Sequence, residues 1–186
     1  MQSPVLSLVI TIFNIYIMIV LLRFLLQLFR ADFYNPLSQF IVKATNPILA
    51  PMRRLIPGIA GLDISSIILA YLVCLLKFLA LYALTGQGFS IAPLFLVAVA
   101  DLLSQSVDLI FWLILARVIL SWVSPGLGNP MVMVIYQVSE PIMAPVRKII
   151  PPIGGLDLSP IILILGLQFL LKAINFYLLG PILTMM

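Results

Sequence analysis

The sequence predicts an all-α integral membrane protein in which four transmembrane helices form two parallel tandem repeats. Hydrophobic residues make up 63% of the 186 residues and charged residues only 9%, whereas soluble domains carry about 25% charged residues. The mean hydropathy is +1.26. Four apolar stretches approach or exceed the ~20 residues that an α-helix needs to cross a bilayer. They cover residues 5–29, 64–84, 101–123 and 159–179.

A single motif occurs twice, at a constant offset of 94 residues. The segment from Asn46 to Ser65 returns as the segment from Glu140 to Ser159 without a gap. A fixed-period repeat of this length indicates two copies of one structural unit. We therefore divide the chain into a first repeat, residues 1–92, and a second repeat, residues 93–186. Because two spans return each repeat to its starting side of the membrane, the copies are predicted to be parallel, related by a pseudo-two-fold axis along the membrane normal.

Between its two spans, each repeat is predicted to form a short helix that lies in the membrane plane. Asn35 and Asn129 each precede a proline, the pattern of an N-cap followed by proline at the first helical position. Amphipathic helices are predicted over residues 36–46 and 130–140, which are too short to span. Prolines follow at positions 47, 51 and 57 and at positions 141, 145 and 151. Because proline lacks the amide hydrogen and clashes with the preceding turn, we expect these helices to end there in a proline-rich basic turn.

Acidic and hydroxyl side chains mark the starts of the second and fourth spans. Ser65 and Ser159 are predicted to be the N-caps of these helices. Asp63 and Asp157 precede them, where the helix dipole favours a carboxylate by about 0.3–1 kcal/mol and a nearby arginine can pair with it. We predict a structural role for all four residues. A second interpretation makes the two aspartates cation ligands or acid–base groups.

The lysines and arginines are placed asymmetrically about the predicted bilayer. The loops inside the repeats hold Arg30, Lys43, Arg53, Arg54, Arg147 and Lys148. The residues before the first span, the link between the repeats and the residues after the fourth span hold none. The positive-inside rule therefore predicts that both proline-rich loops are cytoplasmic and that both termini lie on the outer side.

The cation pairs Arg53-Arg54 and Arg147-Lys148 stand between prolines in both copies. One interpretation is a topological anchor, in which each cation contacts anionic headgroups with a free energy of about 1 kcal/mol. The other interpretation is a docking surface for a cytoplasmic partner or an acidic lipid. Rigid prolines favour docking, because they reduce the entropy lost on binding.

Polar residues inside the spans form a further candidate constellation. Lys77 and Lys172 occupy comparable places in the second and fourth spans, Asp108 lies in the third span, and Asn14 is its counterpart in the first. Both lysines can snorkel to the headgroups. Alternatively, Asp108 meets Lys77 or Lys172 within the membrane, where ionisable residues serve ion or proton paths or hold a bundle together.

The composition excludes several classes of function. The chain has no histidine and a single cysteine, Cys74, which excludes histidine metal sites and Ser-His-Asp chemistry and leaves Cys74 without a disulfide partner in the chain. No cofactor or metal site is predicted, and the few clustered cations do not form a nucleic-acid-binding stripe. An intramembrane enzyme is the least favoured class, because the sequence shows no nucleophile–base set.

The doubled motif resembles the YggT family, whose Gram-positive and plastid relatives are called YlmG. The resemblance rests on Pro47–Ser65 and Pro141–Ser159, with support from Asp32–Pro36 and Ser121–Ser124, and it covers essentially the whole chain in the two-repeat form. It implies a multi-pass protein of the bacterial inner membrane, in which the positive-inside rule places both termini in the periplasm. Roles proposed for the family are tolerance of osmotic or salt stress, organisation of cell division or the nucleoid, and covalent haem attachment during cytochrome b6 assembly. The absence of histidine and of a cysteine pair argues against direct haem ligation by this chain.

We therefore expect a non-enzymatic inner-membrane assembly or scaffold factor that acts through its paired cytoplasmic Pro-Arg turns and amphipathic helices. Its expected partners are anionic lipid headgroups and either another membrane protein or a second copy of the chain, with no nucleic acid. The alternative is a small ion-transport or osmotic-tolerance component that uses Asp108, Lys77 and Lys172. Since four helices are few for a transporter, this alternative requires an oligomer.

Overall fold

The structure, a computed structural model, describes residues 4–56, 58, 61–86, 91–123, 128–150 and 157–184. These residues form helices and connecting turns, and no β-strand occurs among them. The helices are α1 (Pro4–Leu28), α2 (Pro36–Leu55), α3 (Ile64–Thr85), α4 (Ile91–Val123), α5 (Pro130–Ile149) and α6 (Ser159–Ile174), followed by a π-helical stretch (Asn175–Leu179) and α7 (Gly180–Thr184).

Among the described residues, four helical segments are long and apolar enough to cross a membrane. They are Pro4–Leu28, Ile64–Thr85, Pro93–Val123 and Ser159–Ile182. Large apolar side chains such as Ile12, Leu76 and Phe169 are exposed on their outer faces, as expected for helices surrounded by lipid. The predicted class, an all-α membrane protein with four spans, is therefore confirmed.

The third span is longer than the sequence indicated. Helix α4 begins at Ile91 rather than at residue 101, so residues 93–100 belong to this helix and do not form a separate interfacial helix. Pro93 stands in its first turn, where proline is tolerated, and neither glycine nor proline occurs between residues 94 and 123. The predicted boundary between the repeats, at 92/93, lies inside the first turn of α4.

The prediction that prolines end the two connecting helices was wrong. Helices α2 and α5 do not end at residues 46 and 140 but continue to Leu55 and Ile149. Pro47 and Pro51 are four residues apart, so they share one face of α2, and both are exposed. The backbone carbonyls that lose a donor therefore lie on the outer side, where water or headgroups can satisfy them. As a result, the cations predicted in a turn stand in the last helical turn, where the helix dipole favours them.

The starts of α2 and α5 agree with the sequence. The side chain of Asn35 accepts a hydrogen bond from the backbone N–H of Leu37 at 2.9 Å, and Asn129 accepts one from Met131 at 2.9 Å. These predicted N-caps are therefore confirmed. Two further hydrogen bonds join the two repeats. Asn35 donates to the carbonyl of Pro130, and the backbone N–H of Asp32, ahead of α2, donates to Gln137 within α5 at 2.9 Å.

The packing places α2 and α5 side by side at one end of the bundle. Helix α1 packs against α3 and α4, α4 also packs against α6, and α2 contacts α5. The largest buried cluster joins five helices, through residues that include Ile17, Ile41, Cys74, Ala98 and Val138. The end of the bundle that holds α2 and α5 therefore presents both copies of the motif together.

Candidate functional site

Two of the predicted contact residues, Arg53 and Arg147, are ion-paired to the next helix of their own repeat. Arg53 pairs with Asp63, and Arg147 Nε pairs with Asp157 Oδ2 at 3.0 Å. The side chains of Arg53 and Arg147 are 34% and 31% exposed. Each pair joins the last turn of α2 or α5 to the start of the following span. The structure therefore assigns these two arginines to the scaffold rather than to a freely exposed surface.

The serines do not act as the predicted N-caps. Ser65 and Ser159 stand within the first helical turn, and their hydroxyls donate to the carbonyls of Ile56 at 2.9 Å and Ile150 at 3.5 Å. These carbonyls belong to the C-cap residues of α2 and α5. The serines therefore connect the end of one helix to the start of the next, beside the Arg–Asp pairs.

The aspartates organise the helix starts in place of the serines. Asp63 is the N-cap residue of α3 and accepts a hydrogen bond from the Ser66 hydroxyl at 2.5 Å. Asp157 accepts one from the backbone N–H of Ser159 at 2.9 Å. Burial acts to raise the pKa of the Asp63 carboxyl, but the hydrogen bonds from Arg53 and Ser66 outweigh it and hold that pKa below its ordinary value. Because a carboxylate accepts more strongly than a hydroxyl, the aspartates take the acceptor role.

The second cation of each pair points outward. Arg54 and Lys148 are exposed, and neither forms an ion pair with a described residue. The apolar residue that follows each cation is also exposed, Leu55 by 84% and Ile149 by 79%. We call the dipeptides Arg54-Leu55 and Lys148-Ile149 the two tips.

Glu140, which the sequence analysis did not single out, connects the two arginines of the second repeat. Its carboxylate pairs with Arg117 at 2.5 Å and with Arg147 at 2.7 Å. Burial acts to raise the pKa of Glu140, but the hydrogen bonds and charges of both arginines hold it below its ordinary value. The sequence signal for Glu140 was a difference between the repeats, because the first copy has the uncharged Asn46 at the equivalent position.

The predicted polar network within the membrane forms only in part. Lys77 Nζ donates to Asn14 Oδ1 at 3.0 Å and pairs with Asp101 at 2.6 Å. Gln105 Nε2 donates to the same carboxylate at 2.8 Å. Asp101 was not a predicted member, because the sequence placed it at the outer end of the third span. Since α4 begins at Ile91, Asp101 lies well inside the helix and reaches Lys77.

The other two predicted members lie outside this cluster. Asp108 forms no ion pair with Lys77 or Lys172, so the second of the two interpretations, in which it meets one of them, was wrong. Lys172 is exposed and lines an open groove with Phe169, Phe176 and Tyr177. Within the described ranges, no group of three or more cysteine, aspartate or glutamate residues could hold a metal ion.

Comparisons with known proteins identify the family of the chain. The CCB3/YggT family model matches the chain twice, over residues 2–84 and 96–178. The chain is 50% identical over 162 residues to an uncharacterized protein in the proC 3' region of Vibrio alginolyticus, with 86% of each chain covered. It is 45% identical over 162 residues to an uncharacterized protein of Pseudomonas aeruginosa, covering 86% of this chain and 82% of that one. It is 38% identical over 156 residues to the uncharacterized protein YggT of Escherichia coli, covering 83% and 80%. No solved structure matches the chain.

Proposed function

The chain belongs to the CCB3/YggT family, and we propose that it is a non-enzymatic assembly or scaffold factor of the bacterial inner membrane. Its working surface is the pair of tips, Arg54-Leu55 and Lys148-Ile149. In this proposal the tips lie in the cytoplasm and engage a second membrane protein at the level of the anionic headgroups.

One observation carries the proposal: in both repeats an exposed cation and an exposed apolar residue stand on a helix end that is joined to the next helix. The joining contacts are the Arg53–Asp63 or Arg147–Asp157 ion pair and a serine hydroxyl that donates to the preceding C-cap carbonyl. A contact residue on a rigid base loses less entropy on binding than one on a mobile loop. A topological anchor needs the cation alone, whereas the matched apolar neighbours, 84% and 79% exposed, favour a contact surface.

The alternative, an ion-transport or salt-tolerance component, has weaker support. Within the membrane, Lys77 forms an ion pair with Asp101 and donates a hydrogen bond to Asn14. This arrangement fits a role in holding the helices together. Asp108 and Lys172 do not extend this cluster into a path among the described residues. We therefore favour the scaffold.

Site-specific photocrosslinking in living cells tests the tips directly. A photoreactive amino acid at Leu55 or at Ile149 is expected to give the same discrete crosslinked species. The matched control position is Leu8, which is 61% exposed. It lies near the start of α1, at the end of the bundle away from the tips. A species that appears equally from Leu8, or no crosslink from either tip, would contradict the proposal.

A charge test separates docking from topology. The Arg54→Glu/Lys148→Glu variant is expected to lose the crosslinked partner. An Arg30→Glu/Lys43→Glu variant is expected to keep it, because it reverses two other exposed cations and perturbs the positive-inside signal equally. Loss in both variants would favour the anchor interpretation.

Thiol labelling tests the proposed orientation. In a Cys74→Ala background, a cysteine introduced at Thr85 is expected to react with a membrane-impermeant maleimide added to intact spheroplasts. A cysteine introduced at Leu55 is expected to react only after lysis. The background is suitable because Cys74, the single cysteine, is fully buried. The reverse labelling pattern would place the tips outside the cytoplasm.

A further inference from the structure

Arg23 and Arg117 occupy equivalent positions, 94 residues apart, toward the ends of α1 and α4. Both residues are buried, with 5% and 8% of their surface exposed. They stand at the same end of the bundle as the Arg–Asp pairs. Their surroundings differ between the repeats, and this difference points to a ligand.

In the second repeat, both terminal nitrogens of the buried guanidinium have hydrogen-bond acceptors. Arg117 Nη1 donates to Ser139 Oγ at 3.0 Å, and Nη2 pairs with Glu140 at 2.5 Å. The aromatic ring of Tyr136 lies 4.4 Å from the guanidinium carbon. The Glu140 carboxylate also pairs with Arg147 at 2.7 Å, so one anion bridges two arginines.

In the first repeat, no carboxylate of the described residues bridges Arg23 and Arg53. Arg23 Nε and Nη1 are buried and have no hydrogen-bond acceptor among the described residues, and the Phe33 ring lies 5.5 Å from the guanidinium carbon. Arg53 is within electrostatic range of Arg23, but its hydrogen bonds go to Asp63 and Gln27. The first cluster therefore contains two guanidinium groups and one carboxylate, which pairs with Arg53 alone, and its net charge is +1. The second cluster contains two guanidinium groups and two carboxylates and is neutral. A buried guanidinium without an acceptor is costly, so this arrangement favours an external anion.

We propose that Arg23 and Arg53 bind the phosphate of an anionic phospholipid, in the position that the Glu140 carboxylate takes in the second repeat. Guanidinium groups bind phosphate and carboxylate oxygens with the same forked geometry. The position can be reached from outside, because Glu140 is 44% exposed and Arg53 is 34% exposed. Asn46 is the counterpart of Glu140 in the first repeat. Because its side chain is uncharged, the negative charge is supplied by the ligand.

The depth of the site favours a lipid over a soluble anion. Arg23 lies five residues before Leu28, the last residue of α1, or about 7.5 Å along the helix axis. This depth brings its guanidinium near headgroup level. The outer face of α2 carries Phe40 and Ile48, which are 62% and 44% exposed and can contact acyl chains. The inference requires neither tip and names a different ligand from the scaffold proposal, with Arg53 as the one residue that the two share.

Binding of a short-chain phosphatidylglycerol to the purified protein in detergent tests the proposal, with thermal unfolding and native mass spectrometry as readouts. Wild-type protein is expected to be stabilised by this lipid and not by phosphatidylethanolamine of the same chain length. Equal stabilisation by inorganic phosphate or glycerol 3-phosphate would identify a soluble anion as the ligand and overturn the lipid assignment. So would equal binding of both lipids.

The decisive variant is Asn46→Glu, which supplies the first repeat with the carboxylate that the second repeat already has. It is expected to weaken phosphatidylglycerol binding by at least tenfold, equivalent to about 1.4 kcal/mol, and to unfold at a higher temperature without lipid. The Gln39→Glu variant adds the same charge at an exposed position of α2 and is expected to bind like wild type. If Asn46→Glu does not fold, Arg23→Gln is expected to abolish the preference for phosphatidylglycerol. Unchanged binding in the folded variant would overturn the proposal.

Discussion

Replacing Asp63 by asparagine removes the carboxylate charge that pairs Arg53 of α2 with the start of α3. The expected loss of stability follows from the burial of the two side chains. Removing one partner of a fully buried ion pair costs about 3–5 kcal/mol, whereas an exposed pair contributes about 0–1 kcal/mol. The side chains of Asp63 and Arg53 are 3% and 34% exposed. We therefore expect Asp63→Asn to lower the free energy of unfolding by about 2 kcal/mol, intermediate between these limits.

The equivalent change in the second repeat provides the comparison. Asp157 and Arg147 are both 31% exposed, and Arg147 keeps a second partner in Glu140. Asp157→Asn is therefore expected to cost about 1 kcal/mol or less. The difference between the two variants is the quantity that the structure predicts most directly.

Unfolding by sodium dodecyl sulfate in mixed micelles without phospholipid, followed by far-UV circular dichroism, measures both losses. Double-mutant cycles with Arg53→Met and Arg147→Met isolate the coupling energies. A coupling energy below about 0.5 kcal/mol for Arg53–Asp63 is within the additivity error of such cycles. It would refute the role of this pair in holding the end of α2, which carries the first tip, to α3. A larger coupling in the second repeat than in the first would refute the argument from burial.

The same pair predicts a pH dependence with a definite sign. Because the pKa of Asp63 is lowered in the folded protein, its contribution is fully present above the unfolded value of about 3.9. That contribution is lost as the pH falls through the lower folded pKa. The stability difference between wild type and Asp63→Asn should therefore be constant from pH 7 to pH 5 and shrink below about pH 4. A difference that shrinks on raising the pH would contradict this reasoning.

Three further predictions concern single residues and can be checked by the same unfolding measurement, the last of them also by growth. Arg30, two residues after the end of α1, has a φ of 52°, so Arg30→Gly should relieve strain of about 1 kcal/mol, and a loss of stability would contradict this. Asp101→Leu leaves the charge of Lys77 uncompensated and should cost about 3 kcal/mol, most of which Lys77→Leu should restore. Asp108→Leu should cost less than about 1 kcal/mol and leave growth under salt stress unchanged, since Asp108 has no ion-pair partner among the described residues. Impaired growth at normal protein levels would revive the transport alternative.

Local sequence signals predicted the elements whose formation depends on nearby residues. The four spans follow from the length of the apolar runs, because a bilayer demands about 20 such residues wherever they stand. Asn35 and Asn129 act as predicted, since an N-cap bonds to a backbone group only two residues away. The 94-residue offset alone places Arg53 and Arg147, and likewise Asp63 and Asp157, at equivalent positions.

The errors arose where a distant contact or an exposed face decided the outcome. The effect of Pro47 and Pro51 depended on which side of α2 they face, and no local pattern states this. The partner of Lys77 depended on the true start of α4, which placed Asp101 rather than Asp108 beside it. Arg53 is ion-paired whereas its neighbour Arg54 is exposed. This difference depends on which side of the last turn of α2 faces α3.

By itself, the sequence determined that this chain is a four-span membrane protein with a duplicated Pro-Arg motif, because hydropathy and periodicity are properties of adjacent residues. Tertiary structure alone decided that one cation of each motif is ion-paired to the scaffold while its neighbour is exposed. It also distinguished the two repeats, by placing Glu140 between two arginines and leaving Arg23 Nε and Nη1 without an acceptor among the described residues. The physical reason is that electrostatic pairing depends on distance and burial in the folded bundle, neither of which a residue's place in the chain contains.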